Sequence, residues 1–434
     1  MIKKILGLLL FLSMVFASYS QDKWKSSKNK IVIPFELTHN LIIITVNIND
    51  VALNMLLDTG SEKNLLFSFP ENDSIMLYNT KKVKINGIGG GESIEAIVSA
   101  NNKLEVKDYV DSNFELLLVT EHDINLVNKL GVPINGIIGA TFFKDFLVEI
   151  NYQNKKVILY KDLKNKEKKL GKYIQEEIDL IGDKPYIDIV SEINKKNVNL
   201  KLLIDTGLGD GLWLFENDTI QCNDKFFNGV LGRGLGGEIK GKKSRVAKLK
   251  IANLELKEAL VSYPDSISFN KTNLVTNRNG SLGGGILKRF NWFLDYKNNL
   301  VYFKKNHNFS DPFNYNMSGI EIQHIGLTWI KEYIDLNKAS HANELVFVEG
   351  VEYNYKFKLK PVFEIYDVRE KSPADIAGLK VGDIIYSING RKAFDYTIQK
   401  MSDLFQSEEG KLIKMEIERK GVRMQFKFIL QKIL

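Results

Sequence analysis

Two carboxylates in this chain could do chemistry: Asp58 in Leu56-Leu57-Asp58-Thr59-Gly60-Ser61, and Asp205 in Leu203-Ile204-Asp205-Thr206-Gly207-Leu208. Each follows directly on aliphatic residues. A carboxylate drawn out of water in that way is costly unless hydrogen bonds or a partner hold it. The next two residues can supply those bonds, because a threonine hydroxyl donates and a glycine without Cβ lets its backbone N–H come close. A carboxyl group so held can take up or release a proton, which is general acid–base chemistry. One such triplet reads equally well as a turn closing a strand. Two in matching contexts carry more weight.

The elements around the triplets match as well. Residues 41–48, an Asn-Asp turn and residues 51–57 lead into Asp58; residues 186–190, a turn through Asn194 and Lys195, and residues 198–204 lead into Asp205. Both stretches read as hairpins. Downstream come Leu65-Leu66-Phe67 and Leu212-Trp213-Leu214-Phe215, then glycine-rich tips around Gly89 and Gly90 in one half and Gly234 and Gly236 in the other. Each half then has a pair closed by glycine, Asn135-Gly136-Ile137-Ile138-Gly139 and Asn279-Gly280-Ser281-Leu282-Gly283. The offset is 147 residues between the aspartates and 144 between Gly139 and Gly283 and between Tyr152 and Tyr296. So steady an offset marks an internal duplication.

With these landmarks in place, residues 30–306 resemble an aspartic protease of the pepsin and retropepsin superfamily. The resemblance implies two β lobes related by an approximate two-fold axis, with the active site between them. Asp58 and Asp205 would then form the catalytic dyad, Thr59 and Thr206 would cross-brace the loops, and Gly60 and Gly207 would orient the carboxylates through their N–H groups. The tips at Gly89, Gly90, Gly234 and Gly236 would be flaps over a peptide, and Glu62 and Asp210 would contact substrate backbone. Leu208, in place of a small or hydroxylated residue, and Ser281, in place of an apolar one, depart from the family pattern, and neither flap has an obvious counterpart of the pepsin flap tyrosine.

Taken in order, the chain opens with Lys3 and Lys4, an apolar run from Ile5 to Phe16 and small residues up to Ser20, which reads as a signal peptide over residues 1–20. The run is too short for a membrane span, which needs about 20 residues. With no cysteine near the cleavage point a lipoprotein anchor is not indicated, while an uncleaved N-terminal membrane anchor stays open. The expectation is an exported protein, periplasmic or secreted. The single cysteine, Cys222, excludes an intrachain disulfide. A formal charge of +7 with acids and bases mixed throughout gives no support to a nucleic-acid surface. Five scattered histidines show no metal-ligand spacing, so neither a metal nor another cofactor is expected.

Beyond a polar stretch with Pro312, a further module follows. Ser372-Pro373-Ala374, Ala377-Gly378-Leu379, Gly382-Asp383 and Asn389-Gly390 resemble the signature of a bacterial PDZ domain. Ser372 is placed to cap a helix with Pro373 at its first position. Ile398, Met401, Leu404 and Phe405 mark one face of a second helix, and residues 412–417 and 422–430 a closing hairpin about Gly421. The resemblance implies a groove lined by Ile398, Met401 and Phe405 for a C-terminal peptide, with Gly326 and Gly350 as candidates for its carboxylate-binding loop.

The expected fold is mainly β: an N-terminal lobe over 30–162, a C-terminal lobe over 171–306, a connecting segment over 307–355 that the PDZ unit could include, and a PDZ-like β domain with two short helices over 356–434. The expected function is an exported aspartic endopeptidase acting on peptide or protein substrates as a monomer, since one chain carries both triplets. The alternative from another class is a non-catalytic peptide-binding or sensor protein that keeps the cleft as a groove. Two intact triplets argue against it, because a groove has no need to desolvate a carboxylate pair. A serine hydrolase would need a Gly-x-Ser-x-Gly elbow, which is missing.

Overall fold

The structure, a computed structural model, describes residues 23–25, 27–69, 74–85, 93–119, 130–161, 166–234, 236–268, 274–333 and 355–434. The leader at 1–20, the tip with Gly89 and Gly90, and Gly350 lie outside the described residues. The duplication is written into the sheets. In the first lobe eight strands run in the order Glu36–Thr38, Leu41–Ile48, Val51–Leu57, Gly136–Ile138, Leu65–Leu66, Tyr109–Val119, Ile94–Val106, Lys81–Ile85. The second lobe repeats that order with Asp179–Ile181, Lys184–Ile193, Lys196–Asp205, Gly280–Gly283, Leu212–Leu214, Leu254–Pro264, Gly237–Ile251 and Phe227–Gly234.

The hairpin before each triplet forms for local reasons. Along Leu41–Ile48, Ile42, Ile44, Val46 and Ile48 are buried, with Thr45 and Asn47 exposed between them, so an alternating pattern puts one face into the core. The turns Asn49-Asp50 and Asn194-Lys195 both have two residues at positive φ, the backbone that a tight hairpin needs and that asparagine tolerates. Each hairpin delivers its aspartate to the end of a strand that pairs in parallel with the glycine-closed segment, Leu57 opposite Ile138 and Asp205 opposite Gly283. A Cβ on Gly139 would come 2.7 Å from the Ser61 carbonyl oxygen, and one on Gly283 would fall against that of Asp210, so both positions need glycine. A third sheet of six strands joins the lobes, with Leu147–Asn151 of the first antiparallel to Phe290–Asp295 of the second. Phe143 stacks on Tyr296 across the same boundary, and one apolar core runs through both lobes.

The C-terminal sheet has the order Ile320–Tyr333, Tyr355–Val368, Ile384–Ile388, Leu412–Arg419, Val422–Ile429. It begins at Ile320, so part of the connecting segment supplies its edge strand. The two short helices are Pro373–Ala377, capped by the Ser372 side chain and closed by Gly378 at φ +95°, and Ile398–Phe405. The motif residue Asp383 is buried and held at two points by Arg419, at 2.6 and 2.7 Å. One expectation is corrected here: Ile398, Met401 and Phe405 do not line a groove. Met401 and Phe405 are buried in the domain's core, and Ile398, also buried, lies besides against Gly131 of the first lobe, so none of the three is open to a peptide.

This module has its own core, and it also packs on the second lobe. Phe227 and Leu260 of that lobe pack against the core, and the Phe227 ring lies 5.4 Å from Tyr315 with the Arg369 guanidinium 4.2 Å from its centre. On the other side the His39 N–H donates to Gln399 Oε1 at 2.6 Å. Phe227→Ala removes both ring contacts and is expected to cost about 1–3 kcal/mol. An unchanged unfolding midpoint in denaturant titration would show that this docking carries no stability.

Candidate active site

The two triplets meet at the base of the lobes. The Asp58 N–H donates to the Ile138 carbonyl at 2.9 Å, which ties the first loop to its glycine-closed partner. Thr59 and Thr206 are both buried and bonded reciprocally. The Thr59 N–H donates to Thr206 Oγ1 at 3.0 Å and the Thr206 N–H to Thr59 Oγ1 at 3.1 Å. Each hydroxyl then donates across the boundary, Thr59 to the Ile204 carbonyl at 2.6 Å and Thr206 to the Leu57 carbonyl at 2.7 Å. Four bonds that use both hydroxyl protons and both backbone N–H groups hold the loops in one relative position.

The carboxylates sit above this brace. Asp58 Oδ1 accepts from the N–H of Gly60 at 2.7 Å and of Ser61 at 3.2 Å; Asp205 Oδ1 accepts from Gly207 at 3.1 Å. Each glycine also lies against the opposite aspartate. A Cβ on Gly60 would stand 2.7 Å from Asp205 Cγ, and one on Gly207 would fall on Asp58 Cγ. Any side chain there would drive the carboxylates apart. Burial, then the charge of Asp205, pushes the Asp58 carboxyl up to about 8, against the pull of the Gly60 and Ser61 N–H groups. Burial raises Asp205 too, opposed by Arg278, the Ser281 hydroxyl and the Gly207 N–H. Such a pair holds one proton over a wide pH range.

Sequence reasoning missed the work of the asparagines in the glycine-closed segments. Asn135 donates its N–H to the Asn54 carbonyl and accepts the Asn54 N–H on Oδ1; Asn279 does the same with Lys201. Asn54 and Lys201 each stand four residues before an aspartate, so these clamps fix the strands that carry the dyad. Asn64 Oδ1 accepts the Gly139 N–H at 2.9 Å, a bond that the Gly211 carbonyl makes to Gly283 in the other lobe. The recurrence of Asn-Gly in both halves was the available signal.

The remaining expectations divide. Gly234 and Gly236 lie at the tip of a hairpin, where Gly234 pairs with Gly237. That hairpin packs through Leu231 and Ile239 on Trp213, in a cluster that Leu208 joins, which accounts for an apolar residue after the second triplet. Asp210 is not placed to meet substrate backbone. It accepts from Trp213 Nε1 at 2.9 Å, Ser262 Oγ at 2.8 Å and Lys243 Nζ at 3.1 Å. These partners outweigh burial and hold its carboxyl below the usual range. Glu62 is exposed on the first lobe, facing the Gly182 turn of the second. Among the described residues no group of three or more His, Cys, Asp or Glu side chains could hold a metal ion.

Two outcomes are expected from the site's construction. Thr59→Val keeps shape but strips the Ile204 carbonyl and the Thr206 N–H of their partner, so it should destabilise by about 2 kcal/mol or more in urea unfolding, while Thr59→Ser should lose much less. The second concerns pH. Because the folded-state pKa of Asp58 is raised, the folded protein holds a proton that the unfolded chain has lost, and stability falls as pH climbs from about 4 through the folded value. Asp58→Asn removes that dependence. Its unfolding free energy, measured in urea at each pH, should gain on the wild type's by roughly a few kcal/mol between about pH 4 and pH 8; parallel curves for the two proteins would refute the raised pKa.

Comparison with known families agrees with this geometry. Residues 44–142 match the family described as aspartyl protease, and residues 364–419 match the PDZ domain. A comparison with curated proteins returned no match. The first match covers the first triplet and the first glycine-closed segment, and the second lobe repeats both on the same strand order. The first lobe is thus similar to the aspartyl protease family, the second repeats its strand order, and the C-terminal module matches the PDZ domain.

Proposed function

We propose that this chain is an exported aspartic endopeptidase in which Asp58 and Asp205 activate a water molecule for attack on a peptide carbonyl. The observation that carries the reading is the convergence of two part-buried carboxylates, each packed against the other's glycine and braced by the threonine pair. Like charges so close cannot readily ionise together, an effect for which aspartic proteases are themselves the standard illustration. The ionised carboxylate takes a proton from water as its oxygen bonds to the carbonyl carbon, and the protonated one gives its proton to the carbonyl oxygen. The tetrahedral intermediate collapses when the peptide nitrogen is protonated and the C–N bond breaks. Thr59, Thr206, Gly60 and Gly207 position the pair, and the Gly234 and Gly236 tip closes over the peptide. Export follows from the leader-like residues 1–20.

The PDZ domain would add a second peptide contact by strand addition at its edge strand Ile320–Tyr333, beside which the helix Ile398–Phe405 packs. The loop before that strand is self-satisfied: Asn316 Oδ1 accepts the N–H groups of Ser318 and Gly319, and Ser318 Oγ that of Ile320. Recognition then rests on backbone pairing more than on capture of a terminal carboxylate.

Asp58→Asn and Asp205→Asn are each expected to lower peptide cleavage by at least about a thousandfold while the protein stays folded. The check is cleavage of a peptide library by residues 21–434, mapped by mass spectrometry, alongside circular dichroism. Near wild-type turnover in either variant would overturn the dyad. Specific activity should also hold on dilution, because both triplets belong to one chain; a steep loss with dimers in sedimentation would overturn intramolecular pairing.

A further inference from the structure

Each lobe has a two-residue turn that lies against the loop following the other lobe's triplet, and one of the two turns has a further partner. His39 and Asn40 join the paired residues Thr38 and Leu41, at φ +49° and +65°; Gly182 and Asp183 join Ile181 and Lys184 in the same way, at +57° and +63°. Each turn meets the residue four positions beyond the opposite aspartate. Asn40 Nδ2 donates to the Gly209 carbonyl at 2.8 Å, four residues after Asp205. A Cβ on Gly182 would stand 3.6 Å from Glu62 Oε2, four residues after Asp58, and Asp183 pairs with Lys144. The seat of the first turn is the tighter one. A Cβ on Gly209 would come 2.6 Å from the His39 carbonyl oxygen, and one on Gly284, just past the second glycine-closed segment, would fall on that of Asn40.

The PDZ domain holds this turn from its far side. The His39 N–H donates to Gln399 Oε1 at 2.6 Å, and Gln399 Nε2 donates to Asp403 Oδ1 at 2.7 Å, one helical turn on. The second bond points the amide oxygen at His39. Beside it, a Cβ on Gly131 of the first lobe would come 3.1 Å from the Ile398 side chain. We propose that Gln399 and Asn40 act in series as positioning residues: the PDZ helix Ile398–Phe405 fixes the His39-Asn40 turn, and the turn fixes the loop at 207–211 that seats Asp205. This rests on the proposed reading of the dyad and adds that the PDZ domain is part of the peptidase's framework. Both residues act through the loop and not on the reacting atoms. The route is short. Gly207, whose N–H bonds to Asp205 and which packs on Asp58, stands two residues before Gly209. The carbonyls of Leu208, Asp210 and Gly211 accept the N–H groups of Gly284, Gly285 and Gly283 at 2.7, 3.1 and 2.7 Å. A loop bonded at so many points moves as a unit, and a shift of about 1 Å in a reacting group can cost about a hundredfold in rate.

The experiment compares the full chain with Gln399→Met, Asn40→Gly and the double variant. Methionine keeps the length of the side chain without its acceptor, and glycine suits the positive φ of residue 40, so both variants should fold. In hydrogen–deuterium exchange followed by mass spectrometry, the amides at 283–285 should exchange at least about threefold faster in each variant, with the matching first-lobe segment 135–139 unchanged. On a short peptide that spans only the cleft, kcat should fall about tenfold in each, with KM little changed. The double variant should show no larger change than Asn40→Gly alone in either readout, because residues in one chain of contacts do not act additively. Wild-type exchange at 283–285 in Gln399→Met, or changes that add in the double variant, would overturn the proposal. Exchange needs no turnover, so an inactive wild type whose exchange responds as expected would count against the peptidase reading alone, whereas an active enzyme with unmoved exchange would count against the Gln399 and Asn40 series alone.

Discussion

The structure depends on holding two carboxylates together, partly withdrawn from water. Nothing about Asp58 and Asp205 favours their meeting, since burial opposes the charge on each and each charge opposes the other. The meeting is imposed from below by the threonine brace, whose four bonds leave neither loop free to retreat. The brace in turn needs the strands to arrive in register. That register is set by the asparagine clamps on Asn54 and Lys201 and by the parallel pairing of Leu57 with Ile138 and of Asp205 with Gly283. Much of the surrounding glycine chemistry serves this close approach.

Duplication makes such a site economical to build, but a symmetric site has no built-in direction. Two identical aspartates would share a proton evenly. Here the surroundings differ where Ile134 and Ile137 of the first lobe are matched in sequence by Arg278 and Ser281 of the second. The asymmetry extends to Asp210, which with Lys243 forms a part-buried pair behind the Trp213 ring. Lys243 also feels Glu321 in the edge strand of the PDZ domain. The loop that follows the second triplet and the PDZ domain therefore each set a carboxylate in the field of one cation.

That shared charge bears on how the PDZ domain relates to the lobes. Its core is separate, yet Phe227 and Leu260 of the second lobe pack into it, and the Phe227 strand is one arm of the glycine-tipped hairpin. A domain joined only by a flexible linker would leave those side chains in water. The packing sets the PDZ domain on the same hairpin that carries Gly234 and Gly236.

The sequence by itself determined whatever depends on local pattern. Alternating apolar residues, Asn-rich turns, two Asp-Thr-Gly triplets, two glycine-closed segments and the Ser372-to-Gly390 signature each act within a few residues, and their repetition at a near-constant spacing made the two lobes legible. Tertiary structure alone decided what depends on partners far along the chain. Asp210 looked free beside the triplet, but Ser262 and Lys243 arrive from distant strands and take it. Ile398, Met401 and Phe405 carried a correct helical period that says which residues share a face and nothing of whether that face meets a peptide or a core. The sequence left open whether residues 307–355 belong to the PDZ unit, since the partner of Ile320–Tyr333 among the described residues, Tyr355–Val368, lies beyond a long intervening stretch. Lys243 gave no local signal at all: it reaches Asp210 from 33 residues further along the chain, and distance in space is the one quantity that a sequence does not contain.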